Sequence, residues 1–131
     1  MKPLIPLIPV LAALALVACN DPRSAATARL RKSSVADLRT DAARLHTQFF
    51  SAVTQEHFPL FQFHWPESAK KLKPIRMNLY RDGLAIALRQ EPGAEFGLHI
   101  VPRGITDPPL PTPYIEYERI EDGVYSYVLK R

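Results

Sequence analysis

Residues 75–90 read IRMNLYRDGLAIALRQ, and this stretch decides the fold. Asp82-Gly83 lies at its centre. Asp-Gly between alternating apolar residues is a strong signal for a two-residue β-hairpin, because both turn positions of that type need positive φ. Folding about these two residues pairs Leu79 with Ile86 and Met77 with Leu88. A slip of one residue would set Asn78 against Ile86, so the apolar pattern selects the first register. The other side of the hairpin then carries Arg76, Asn78 and Tyr80 opposite Arg89, Ala87 and Ala85.

The same alternation continues downstream. FGLHIV, residues 96–101, puts Phe96, Leu98 and Ile100 on one side and Gly97, His99 and Val101 on the other. YIEYERIEDGVYSYVLK, residues 114–130, reads as a second hairpin with a three-residue turn, Glu121-Asp122-Gly123, and Gly123 in the left-handed position. This register pairs Ile115 with Leu129 and Tyr117 with Tyr127, and sets Glu116 and Glu118 beside Val128 and Ser126 on the opposite side. Between these strands, PRGITDPPLPTP (102–113) has five prolines in twelve residues. It contains the PxxP spacing of polyproline ligands, and its simpler reading is a stiff connection.

Upstream, residues 34–57 recur with helical spacing: Val35, Leu38, Ala42, Leu45, Phe49 and Val53 fall on one face. Ser34 with Asp37 three residues on resembles a capping box, and Pro59 is the expected stop. Arg39, Thr40, Thr47 and Gln55 fall on the opposite, solvent-facing side. Phe61, Phe63 and Trp65 then alternate with Gln62 and His64, which predicts a short edge strand between Pro59 and Pro66 whose aromatics cover the open end of the core. A helix with one apolar stripe needs a sheet to bury it. The expected fold is therefore α+β: one long N-terminal helix packed on an antiparallel sheet of about five strands, connected as a hairpin meander.

The first residues supply an address. Pro3–Ala18 is uncharged and follows Lys2; it is short of the ~20 apolar residues of a spanning helix and has the layout of a secretory signal. It ends in Leu16-Val17-Ala18-Cys19, and Cys19 is the only cysteine in 131 residues. This resembles the lipobox of bacterial lipoproteins; the resemblance covers residues 1–19 alone. It implies acylation of the Cys19 thiol, cleavage before it, and anchoring to the cell-envelope membrane through lipid. In enteric bacteria an aspartate directly after that cysteine favours the inner membrane; the position here is Asn20, which implies the outer membrane, periplasmic side. The chain accordingly divides into a signal peptide at 1–18, a flexible tether at 19–33 and a single domain at 34–131. With its only cysteine assigned to lipid, the domain rests on its hydrophobic core.

Chemistry is sparse. Seventeen Lys and Arg against thirteen Asp and Glu give a net charge of +4, without the clustered basic stripe of a nucleic-acid binder. GxSxG, HExxH, GxGxxG and GxxxxGK[ST] are all missing. Among the four histidines, His46 and His57 would sit about 16 Å apart on one helix, and His57 with His64 alone makes a weak metal site. No cofactor, metal or catalytic residue is therefore assigned. One candidate binding face emerges from the registers: Arg76, Asn78, Tyr80, Arg89, His99, Glu116 and Glu118, with Ser126 beside them, on what is otherwise the ordinary wet side of a sheet. Arg76 opposite Arg89 forms a like-charge pair that Glu91, Glu95 or an anionic partner would offset. The expected function is a non-catalytic protein- or ligand-binding module of inhibitor or immunity type. The alternative is an accessory subunit of an envelope assembly or secretion complex; a hydrolytic enzyme ranks last.

Overall fold

A computed structural model describes residues 21–49 and 57–131. The apolar run, Cys19, and the far part of the expected helix with Val53 and Gln55 lie outside the described residues.

The stretch expected to be a flexible tether is helical over most of its described residues. Pro22–Leu30 forms a helix, α1. Pro22 suits its first turn and the alanines favour it, but only Ala26 and Leu30 are buried, so no apolar stripe marks it in the sequence. A nine-residue helix is marginal alone. This one is held by side chains: Arg23 pairs with Glu118 and, at 3.8 Å, with Glu116. Arg29 Nη1 donates to the carbonyls of Leu88 (3.2 Å) and Leu72 (3.5 Å).

The second helix, α2, spans Val35–Gln48. Ser34 Oγ accepts the Asp37 N–H at 3.2 Å, the expected N-cap. Leu38, Ala42 and Leu45 are fully buried at i, i+4 and i+7. The helix stops at Phe49, ten residues before Pro59, where the backbone leaves the helical region and the Phe49 ring packs on Phe58 (5.0 Å) and His64 (4.9 Å). Among the described residues, two helices thus stand where one long helix was expected. Arg39 is also displaced from its expected solvent side. Its guanidinium donates to the carbonyls of Val101 (3.0 Å) and Ile105 (3.1 Å), lies 3.9 Å from Asp122, and crowds Gly123 so closely that a Cβ there would lie 2.3 Å from Nε.

Among the described residues the sheet has six antiparallel strands: β1 (Phe58–Leu60), β2 (Arg76–Tyr80), β3 (Gly83–Glu91), β4 (Ala94–Ile100), β5 (Ile115–Glu121) and β6 (Val124–Lys130). A third, short helix, α3 (Glu67–Lys70), precedes β2. The order is β1-β2-β3-β4-β6-β5, so the meander holds only as far as β4. The proline-rich connection carries the chain past one position to the edge, and β6 returns to fill the gap. This order hides the more apolar strand, β6, and leaves charged β5 outside. The strand expected at 61–65 is displaced: β1 ends at Leu60, and Gln62–His64 form a 3-10 turn closed by His64 N–H to Phe61 and Trp65 N–H to Gln62.

The first hairpin is shifted by two residues from the expected register, which preserves every side. Met77 faces Ile86, Leu79 faces Leu84 and Tyr80 faces Gly83, so the turn is Arg81-Asp82. Lys73 is the only described non-glycine with positive φ, so the Asp-Gly turn geometry is not used. Gly83 serves a close approach: a Cβ there would lie 2.4 Å from His99 Nε2 and 2.6 Å from the Ile100 carbonyl oxygen. In the second hairpin Ile115–Leu129, Tyr117–Tyr127 and Glu118–Ser126 pair as expected, and Gly123 is left-handed at φ 77°. A bulge between Arg119 and Glu121 tightens the turn to Asp122-Gly123.

Candidate functional site

One side of the sheet packs on α1 and α2 through Met77, Leu79, Leu84, Ile86, Leu98, Ile100 and Val124. The candidate binding face divides across the two sides. Arg76, Asn78, Tyr80 and His99 lie opposite the helices, as the alternation of β2 and β4 requires. Glu116 and Glu118 do not join them. They pair with Val128 and Ser126, whose partners Phe96 and Leu98 face the helices, and they meet Arg23 of α1. Lys130 also bonds Glu116 at 2.8 Å. That ammonium, through its hydrogen bond and charge, is the main cause holding the Glu116 carboxyl below its usual range. Arg89 is turned aside by a bulge between Ala87 and Arg89; it pairs with Phe96 and bonds Glu91 at 2.6 Å. The Arg76–Arg89 like-charge pair does not form.

The side opposite the helices is built from tyrosines over small residues. Tyr127 lies over Gly97, its cross-strand partner. Beside it Glu95 is only 4% exposed, yet satisfied: it accepts from Arg76 Nε (2.8 Å) and, through its second oxygen, from the Tyr127 hydroxyl (2.7 Å). Arg76 also bonds Gln90, and Arg131 approaches Glu95 at 3.6 Å. Burial, reinforced by Glu95, pushes the Tyr127 phenol well above its usual range. At the other end, His99 is 1% exposed; its Nε2 donates to the Asp82 carbonyl at 3.2 Å and lies 3.8 Å from the Asp82 carboxylate. Tyr117 meets the imidazole edge-on at 5.2 Å. Burial, then Asp82 and Tyr80, raises the Tyr117 phenol.

Burial also lowers the His99 pKa, and nearby His46 adds to the effect, against the opposing pull of Asp82. The fold therefore binds this proton less readily than the unfolded chain, whose histidine titrates near 6.5. Stability from this group is complete above that value and declines as pH falls below about 6.5. Melting temperature is expected to drop between about pH 7 and 5, with a shallower slope for His99→Gln. An unchanged slope in the variant would exclude His99 as the titrating group.

Arg76, Glu95 and His99 thus spend their polar groups inside the fold. Among the described residues, no cluster of three His, Cys, Asp or Glu could hold a metal ion. His57 packs against Tyr80, while His64 packs between Phe49 and Phe63. Comparison with family models, curated proteins and solved structures returns no match.

The large apolar side chains facing solvent include Phe61 and Phe63 beside the β1 edge and Leu110 in the proline-rich connection. Phe61 and Phe63 are 67% and 77% exposed and stack with ring centres 5.7 Å apart and planes 3° from parallel. Their neighbour Trp65 is half-buried, with its indole N–H donating to the Leu60 carbonyl. The alternation predicts all three over the core; of the three, Trp65 alone packs against it. In the connection, Pro109 is buried while Leu110 is exposed, and Ile105, Asp107 and Pro108 join Arg81 and Asp82 around a recess of about 450 Å³.

Proposed function

We propose that this chain is an exported protein anchored to the envelope membrane by acyl groups on Cys19, and that its α+β domain is a non-catalytic binding module of inhibitor or immunity type. The outer membrane, periplasmic side, is the proposed location, on the strength of Asn20 after the cysteine. The lipobox-like LVAC carries the address. The stacked, exposed Phe61–Phe63 pair carries the binding role, since large aromatic side chains facing water are the usual anchors of protein interfaces. The sheet side opposite the helices is the weaker docking surface, because its charged residues are already paired.

The test uses the full-length protein in its native envelope. A photo-crosslinking amino acid at Gln62, between the two rings, should yield a discrete adduct. Phe61→Ser with Phe63→Ser should abolish that adduct, whereas Arg89→Ala should leave it intact. An adduct of unchanged yield in the double variant would reject the aromatic anchor. Fatty-acid labelling of the wild type but not of Cys19→Ser reports the anchor separately, and recovery with inner-membrane vesicles would overturn the proposed location.

A further inference from the structure

We infer that the domain is seated directly on the bilayer that holds it, with the start of α1 and the β5 edge facing the lipid and the Phe61–Phe63 edge facing away. This rests on the anchoring of the chain at Cys19. Only Asn20 separates Cys19 from Asp21, the N-cap of α1. Three residue steps from Cys19 to Pro22 span no more than about 11 Å even when fully extended. From Pro22 onward there is no slack. α1 is tied to β5 by Arg23 with Glu116 and Glu118, and to β3 by Arg29 with the Leu88 carbonyl, and it buries Ala26 and Leu30.

Position follows from the strand order. The start of α1 lies beside β5, at one end of the series β1-β2-β3-β4-β6-β5, and Phe61 follows β1 at the other. Five strand spacings of about 4.8 Å set the two edges roughly 24 Å apart. A groove of about 500 Å³ lined by Arg23, Thr27, Arg31 and Glu118 opens between α1 and the β5 side, next to the point of attachment. Its opposed charges give it little net attraction for anionic headgroups, so the covalent anchor and the short reach fix the seating, with charge a minor contributor. The occupant of this surface is the bilayer carrying the Cys19 acyl chains, and the aromatic pair is held clear of that bilayer.

The experiment uses full-length protein purified from membranes and reconstituted in vesicles of phosphatidylethanolamine and phosphatidylglycerol. A donor dye is placed at Ala28→Cys, on the exposed side of α1, or at Gln62→Cys, beside the aromatic pair, with an acceptor on the lipid headgroups. Thermal melts confirm that both labelled chains fold. Energy transfer from position 28, over β4 and β6, is expected to exceed that from position 62, beyond β1, by about 1.5-fold or more, since three to four strand spacings of about 4.8 Å lie between them. High salt should leave the difference in place. A Gly/Ser insert of about twelve residues after Asn20, reaching roughly 19 Å on average, should erase it. Equal transfer from the two positions without the insert, or stronger transfer from position 62, would overturn the seating. The protein's mass reports the acyl chains independently: acyl mass with equal transfer rejects the seating alone, and a missing acyl mass rejects the anchor and the seating together.

Discussion

Gly97→Val is expected to lower the melting temperature by roughly 15 °C or more. Valine is a favoured strand residue, and propensity alone would predict a gain. The packing predicts the reverse. A Cβ at position 97 would lie 2.2 Å from the Ile86 carbonyl oxygen and 2.8 Å from Cε1 of the Tyr127 ring. The carbonyl belongs to the backbone of β3, the strand paired with β4. The ring is held by its hydroxyl bond to Glu95, so neither neighbour yields cheaply. Overpacking of this kind costs about 3 kcal/mol or more when the backbone has to move, a large share of the ~5–15 kcal/mol that holds a domain together. Thermal unfolding followed by circular dichroism checks it. A melting temperature within about 2 °C of the wild type would mean that β3 and β4 separate more easily than the pairing implies.

Leu45→Ala is expected to have the second largest effect. Leu45 has no solvent exposure and joins α2 to the sheet's apolar side in one cluster with Leu79, Ile86 and Leu98. Its truncation removes burial and leaves a cavity, at a cost of about 2–5 kcal/mol. For a domain near this size the melting temperature should fall by roughly 10 °C or more. Phe49→Ala makes the useful contrast, since Phe49 is half-buried at the end of α2 and should cost less. A larger loss for Phe49 than for Leu45 would place the centre of the core nearer β1.

What could be read from the sequence depended on how far each residue's role was local. Ser34 with Asp37 and the pairing of Tyr117 with Tyr127 were legible, because a cap and a hairpin with a left-handed glycine are decided within a few residues. The side of β6 was not. Val124 and Val128 alternate with Tyr125, Tyr127 and Leu129, so the strand is apolar both ways. The choice falls to α1, whose two buried residues leave no periodic mark. For that reason Glu116 and Glu118, expected on the polar side, lie on the side that meets Arg23. The position of β6 between β4 and β5 was equally hidden, since sequential strands usually pair. At the candidate site, the two-residue spacing of Phe61 and Phe63 imitated a strand. The 3-10 turn that exposes them depends on bonds from His64 and Trp65 back to Phe61 and Gln62, for which the sequence held no signal.

Arg39 bears on how the chain reaches this fold. Its guanidinium joins α2 to the carbonyl of Val101, 62 residues away, and reaches the β5–β6 turn at Asp122 and Gly123. A contact so distant in sequence can form only after β4 and the last hairpin have found their places. Such late contacts slow the escape from the native state without hastening its formation. Arg39→Ala should therefore accelerate unfolding in stopped-flow denaturant jumps while leaving the refolding limb where it was. A matching fall in the refolding rate would place α2 and the last hairpin together in the folding nucleus. On this account Arg39 is a latch: it sets how long the assembled domain lasts and leaves the speed of assembly unchanged.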